Sequence, residues 1–211
     1  MMHAPQILRA APVRVEESRP ATVQWGTGGG IDDRVRGMFA ALTISVMDPW
    51  TQEEAYRAVA GCPQDDHECI LSSAFRWVKS KVTYRGELAG VDTYKSARRT
   101  LDVGAGDCDC FAICIDAINA CNGYHVGTRI IHQRDDDGSE LWHAYALAFM
   151  GDIRIPYDAT VPHFGPGDEV DPRYVVESFD FLYHPQQWVR WKLSGGSLAD
   201  APQPKPLRPQ K

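Results

Sequence analysis

A thiol, an imidazole and a carboxylate stand in this chain in an order that could open an amide bond. Cys108 follows the stretch Gly104-Ala-Gly-Asp and opens an apolar helical pattern. His143 lies in Trp142-His-Ala-Tyr145, and Asp158 in Ile155-Pro-Tyr-Asp-Ala-Thr160. A cysteine attacks as its thiolate, which the positive end of a helix and a neighbouring imidazolium both favour. The imidazole takes the thiol proton, the carboxylate orients the imidazole, and attack on a carbonyl leaves an acyl-enzyme. Gly104 and Gly106 allow the backbone to turn and approach closely just before the thiol. The N–H groups at the start of the following helix are candidate oxyanion donors.

These residues need rigid elements to position them. Asp32 or Asp33 can cap a helix with apolar positions at Val35, Met38, Phe39, Leu42 and Val46. A second helix is expected from Thr51, with Glu54 completing a capping box, to Gly61. A third runs from about Asp65 to Lys81 with Ile70, Leu71, Ala74, Phe75 and Val78 on one face. Val82-Thr-Tyr84 reads as extended, 85–92 as loop and 94–101 as a short helix. The helix opened by Cys108 ends at Asn122-Gly123. Three strands follow, Tyr124–Ile131, Glu140–Phe149 and Asp152–Tyr157, while 173–193 fits either strand or helix. Alternation puts Leu141, His143, Tyr145 and Leu147 on one strand face. Asp158 ends the next strand, so an antiparallel pair brings it beside His143. Helices first and an antiparallel sheet afterwards make the fold class α+β.

The motifs Gly106-Asp-Cys108-Asp-Cys110-Phe-Ala112, His143-Ala144 and Tyr157-Asp158-Ala159-Thr160 resemble the transglutaminase-like superfamily of papain-related folds. Phe75-Arg-Trp-Val78, Val82-Thr-Tyr84 and Arg99-Thr-Leu101 resemble the segments that precede that family's cysteine, so the resemblance spans roughly residues 65–160. It implies Cys108 as nucleophile, His143 as base and Asp158 as orienting acid, in a cysteine-dependent amide hydrolase or acyl transferase that needs no cofactor. Many relatives carry an acid where this chain has Cys110. Small stand-alone relatives with a similar arrangement occur among bacterial and tailed-phage proteins. A virion structural or assembly protein with a vestigial triad is therefore the alternative.

The domain expected is 31–193, flanked by an arm at 1–30 and a proline-rich tail at 194–211. Such arms suit virion or assembly partners, because segments of this composition order on binding. The substrate expected of the enzyme is a peptide or protein amide, with Trp142 as a candidate wall of the substrate groove. With 22 basic against 28 acidic residues, a net charge of −6 and no basic run, nucleic acid is not expected as a partner. No signal peptide and no membrane span are expected, which points to a cytoplasmic or virion-associated protein.

The six cysteines read as thiols in a reducing compartment, because four of them crowd one helix. Cys110, Cys114 and Cys121 share a face roughly opposite Cys108 and read as a small-residue packing stripe. Cys62, His67 and Cys69 offer only three zinc ligands and read as a loop thiol and a helix-start histidine. Asp135-Asp-Asp-Gly138 lacks the remaining ligands of a calcium loop and reads as a hairpin turn. No metal site is expected.

Overall fold

The computed structural model describes residues 22–26, 30–86 and 91–207. Its helices are α1 (Ile31–Met47), α2 (Pro49–Val59), α3 (His67–Lys81), α4 (Ala97–Val103), α5 (Cys108–Cys121) and α6 (Pro185–Leu193). Its strands are β1 (Thr22–Gly26), β2 (Thr83–Tyr84), β3 (Val91–Lys95), β4 (Ala105–Gly106), β5 (His125–Arg134), β6 (Glu140–Met150), β7 (Ile153–Tyr157) and β8 (Val175–Leu182). The class is α+β, with an antiparallel sheet in the order β7-β6-β5-β8. No helix of the described residues is long and apolar enough to cross a membrane.

The helix α5 is the spine. It touches α1 to α4 on one side and β5 and β6 on the other. Phe111, Ile113, Ile115 and Ile118 are all buried, and burying each side chain of this size contributes about 1.5–3 kcal/mol. On the sheet, alternation buries Val126, Thr128 and Ile130 of β5 and Ala144, Ala146 and Ala148 of β6. Three alanines in register allow the helix and the sheet to approach closely. The stripe Cys110 and Cys114 is buried against the segment before it: the Cys114 thiol donates to the Ala97 carbonyl at 3.8 Å.

Capping chemistry sets the helix starts, sometimes not where the sequence suggested. Asp32 and Asp33 lie inside the first turn of α1 rather than capping it, where their charges suit the helix dipole. For α2 the cap is Asp48, with Pro49 at the first helical position, so the helix begins before Thr51. Ser96 caps α4, and the chain ahead of it is the strand β3 rather than loop and helix. The segment 173–193 divides into β8 and α6, split at His184-Pro185 because proline suits a helix start and not a sheet ladder.

Cys62 and Cys69 form a disulfide, which corrects the reading of all six cysteines as thiols. Seven residues apart across the turn between α2 and α3, they meet because Asp66 caps α3 and folds the turn back. The other four cysteines are free.

Of the segment expected as an N-terminal arm, residues 1–21 and 27–29 lie outside the described residues. Thr22–Gly26 pair antiparallel with Val91–Lys95. Downstream of α6, Phe181 bridges Pro206, and the Leu207 N–H donates to the Asp180 carbonyl at 2.7 Å. Prolines suit this position, since an edge strand does not need every N–H.

Candidate active site

The turn into α5 is built by its glycines and one aspartate. Gly104 ends α4 with a positive φ of 67°, a conformation that costs a side chain dearly. At Gly106 a Cβ would stand 2.5 Å from the Cys110 Cβ, so the strand β4 can pass over the helix start only without one. Asp107 then caps α5, accepting from the Cys110 N–H at 3.1 Å. The result is Cys108 at the first helical position, partly exposed.

His143 and Asp158 come from the sheet edge. β7 pairs with β6 only from Ala146 to Met150, so the β6 residues before Ala146 lack a β7 partner. The chain leaves β7 at Tyr157 and puts Asp158 beside His143. The imidazole Nε2 and the Asp158 Oδ2 lie 2.8 Å apart. The other carboxylate oxygen accepts from the Thr160 N–H at 3.1 Å and the Thr160 hydroxyl at 2.6 Å. Asp158 is fully buried. Burial alone would raise its pKa, but the hydrogen bonds from His143 and Thr160 and the imidazole charge outweigh it, and the carboxyl lies below its ordinary value. The loop that follows is tied down from α3: the Lys79 ammonium donates to the carbonyls of Val161 at 2.9 Å and Phe164 at 2.6 Å.

Cys108 and His143 line one cleft of about 180 Å³ together with Arg34, Tyr84, Gly86, Asp107, Asp109, Ile130, Trp142 and Ala144. That volume lies below the roughly 300 Å³ usual for a site that encloses a small molecule. A larger hollow of about 340 Å³, lined by Arg134, Asp135, Asp136, Arg173, Tyr174 and Val176, holds neither a thiol nor an imidazole. By alternation His143 belongs to the sheet face of Tyr145, whose ring centroid is 5.7 Å away, while Ala144 belongs to the α5 face. It reaches the cleft because the sheet ends there. Among the described residues no hydrogen bond joins Cys108 to His143. The thiol donates instead to Asp109 Oδ1 at 3.6 Å.

The electrostatics at the thiol run against the expectation from its helix position. Burial pushes the Cys108 thiol well above its ordinary value, the charges of Asp109 and Asp107 push the same way, and a hydrogen bond from the Ala144 backbone opposes them. Cys110 is also held up, to about 12, by burial first and Asp107 second, and it is fully buried. Cys108 is partly exposed where Cys110 is buried, so it is the more accessible thiol of the two.

Trp142 lines the cleft and stacks on His132, with ring centroids 4.7 Å apart and planes 14° from parallel. Tyr84 and Arg34 were not singled out from the sequence. Tyr84 is half-exposed at the cleft, and the pKa of its hydroxyl is raised by its partial burial and then by the neighbouring carboxylates of Asp107, Asp109 and Asp158. Its position follows from β2 pairing in parallel with β4, a two-residue ladder too short to leave a pattern in the sequence.

Fold and site together describe an α+β protein with a thiol at a helix start and a buried carboxylate–imidazole pair at a sheet edge. No family model matches the chain, and no curated protein sequence does. Solved structures similar to it include a candidate cysteine protease from Cytophaga hutchinsonii, 19% identical, with a TM-score of 0.46 over 64% of this chain and 43% of that one. Another is a TGase, 13% identical, with a TM-score of 0.37 over 64% of this chain and 35% of that one. The chain thus spans less than half the length of either.

Proposed function

We propose that this protein is a cysteine-nucleophile amide hydrolase or acyl transferase, with Cys108 as nucleophile, His143 as base and Asp158 as orienting acid. The observation that carries the reading is the 2.8 Å contact between His143 Nε2 and the buried Asp158, beside a cleft that Cys108 lines. With Nε2 held, Nδ1 is the nitrogen left to accept the thiol proton. On substrate binding the proton passes from Cys108 Sγ to Nδ1, and the sulfur attacks the amide carbonyl carbon. Backbone N–H groups at the start of α5 other than that of Cys110, which donates to Asp107, stabilise the oxyanion. The imidazolium gives its proton to the leaving nitrogen as the C–N bond breaks, and a thioacyl enzyme remains. Water then yields an acid, or an amine yields a new amide. Trp142 walls the cleft, and a peptide or protein amide is the substrate class.

A second reading, a virion or assembly protein with an accessory triad, is favoured by one observation: the thiol rests on Asp109 and not on His143. The test is substitution. Cys108→Ala should abolish amide cleavage or exchange with unfolding unchanged, and intact activity in that variant would overturn the assignment.

A further inference from the structure

We propose that Asp109 is a latch on the nucleophile: in the resting site its carboxylate holds the Cys108 thiol protonated and away from His143. The contact is direct, with the sulfur donating to Asp109 Oδ1 at 3.6 Å, while no hydrogen bond links the sulfur to His143 among the described residues. Asp109 follows Cys108 in the first turn of α5, and Asp107 precedes it as the cap, so a carboxylate stands on each side of the thiol.

The surroundings decide what the latch does. Asp107 and Asp109 of α5 and the Ala144 backbone of β6 act on the sulfur directly, and the cleft it lines also holds Tyr84 of β2, Arg34 of α1 and His143 of β6. Asp158 stands behind the imidazole. A negative charge beside the sulfur disfavours the thiolate, against the helix dipole. Burial and both aspartates act in this direction. Opening the latch means rotating Cys108 from Asp109 toward His143, after which the Sγ proton moves to the imidazole and leaves thiolate and imidazolium. A thiol kept protonated until the cleft is occupied resists alkylation and oxidation meanwhile, since both proceed through the thiolate.

Asp109 is thus a positioning residue rather than a catalytic one. Its other reading is structural, because an acid in the first turn also stabilises a helix. The two separate by experiment. Alkylation of Cys108 by iodoacetamide, followed across pH by mass spectrometry, needs no substrate and does not depend on turnover. In Asp109→Asn the midpoint should fall by about one unit or more. One unit gives about tenfold more thiolate well below the midpoint; the less basic thiolate is about threefold less nucleophilic, so the net gain is about three- to fourfold. Iodoacetate should gain more than iodoacetamide, because the substitution also removes a charge that repels the anionic reagent. Asp109→Glu, which keeps the charge, should stay near the parent. An unchanged midpoint in a folded Asp109→Asn protein, or an equal shift in Asp109→Glu, would overturn the proposal. If the shift appears while Cys108→Ala keeps its activity, the latch stands and the catalytic reading falls.

Discussion

Replacing Asp158 separates the roles of its two oxygens. Oδ1 takes two bonds from Thr160, and Oδ2 meets His143, all in a fully buried site. Asp158→Ala leaves three donors without an acceptor. Each buried unpaired group costs about 1–3 kcal/mol, and the Thr160 hydroxyl can turn elsewhere, so the loss should be about 3–5 kcal/mol. Asp158→Asn behaves differently. The Thr160 N–H needs an acceptor, which fixes the amide oxygen on Thr160 and turns the NH₂ group toward His143. Charged hydrogen bonds become neutral ones, at a cost of about 1–2 kcal/mol. The NH₂ donates to Nε2, so the ring proton must move to Nδ1, and the imidazole can no longer accept the thiol proton. The same substitution in a serine-protease triad lowers kcat about 10⁴-fold, and a comparable loss is expected here. Urea unfolding gives the two stabilities, and two-bond ¹H–¹⁵N NMR reads the tautomer directly. The Asp158 carboxyl is held below its ordinary value, so its contribution is full above the unfolded carboxylate range and fades as pH falls through the folded value. The gap between parent and Asn variant should therefore close in acid. Equal losses for Ala and Asn, or one tautomer in both proteins, would refute the reasoning.

Other outcomes follow from the same contacts. Asp116 is buried on α5, its Oδ2 accepts from the Thr128 hydroxyl at 3.5 Å and its Oδ1 has no partner among the described residues, so burial drives its carboxyl well above the ordinary value. A raised folded pKa means that stability falls as pH rises from the unfolded carboxylate value, by up to about 1.4 kcal/mol per unit; Asp116→Asn should flatten that slope in urea titrations between pH 4 and 7, and an unchanged slope would contradict it. Lys79→Met should cost about 1–2 kcal/mol and speed protease cleavage in 161–168, because two carbonyls lose a charged donor; equal cleavage rates would argue against the tie. Alkylation of the unfolded, unreduced protein should modify the four free cysteines, and reduction should add Cys62 and Cys69; six modified without reduction would rule the disulfide out.

Much of the local structure around these residues was legible because its signals are local. Gly106-Asp-Cys108 marks a turn, a cap and a helix start within three residues, and the hairpin turns at Gly138 and Gly151 announce β6 and β7. What escaped depends on residues distant in sequence. Tyr84 reaches the cleft through a two-residue parallel ladder with β4, and Arg34 through the packing of α1. The Cys62–Cys69 pair depends on how a turn folds, which spacing alone does not reveal. The electrostatics at Cys108 were legible only in part. The helix dipole is readable from sequence, but burial and the approach of Asp109 are tertiary quantities.

The proposed reaction passes through a thioacyl enzyme on Cys108. The direct measurement is acid-quenched mass spectrometry of the full chain after incubation with a pool of peptide amides and activated acyl donors. An acyl mass increment mapped to Cys108 is expected, released by hydroxylamine, absent in Cys108→Ala and much reduced in His143→Ala. An increment on another cysteine, or cleavage of the same substrates by Cys108→Ala with no adduct, would contradict it.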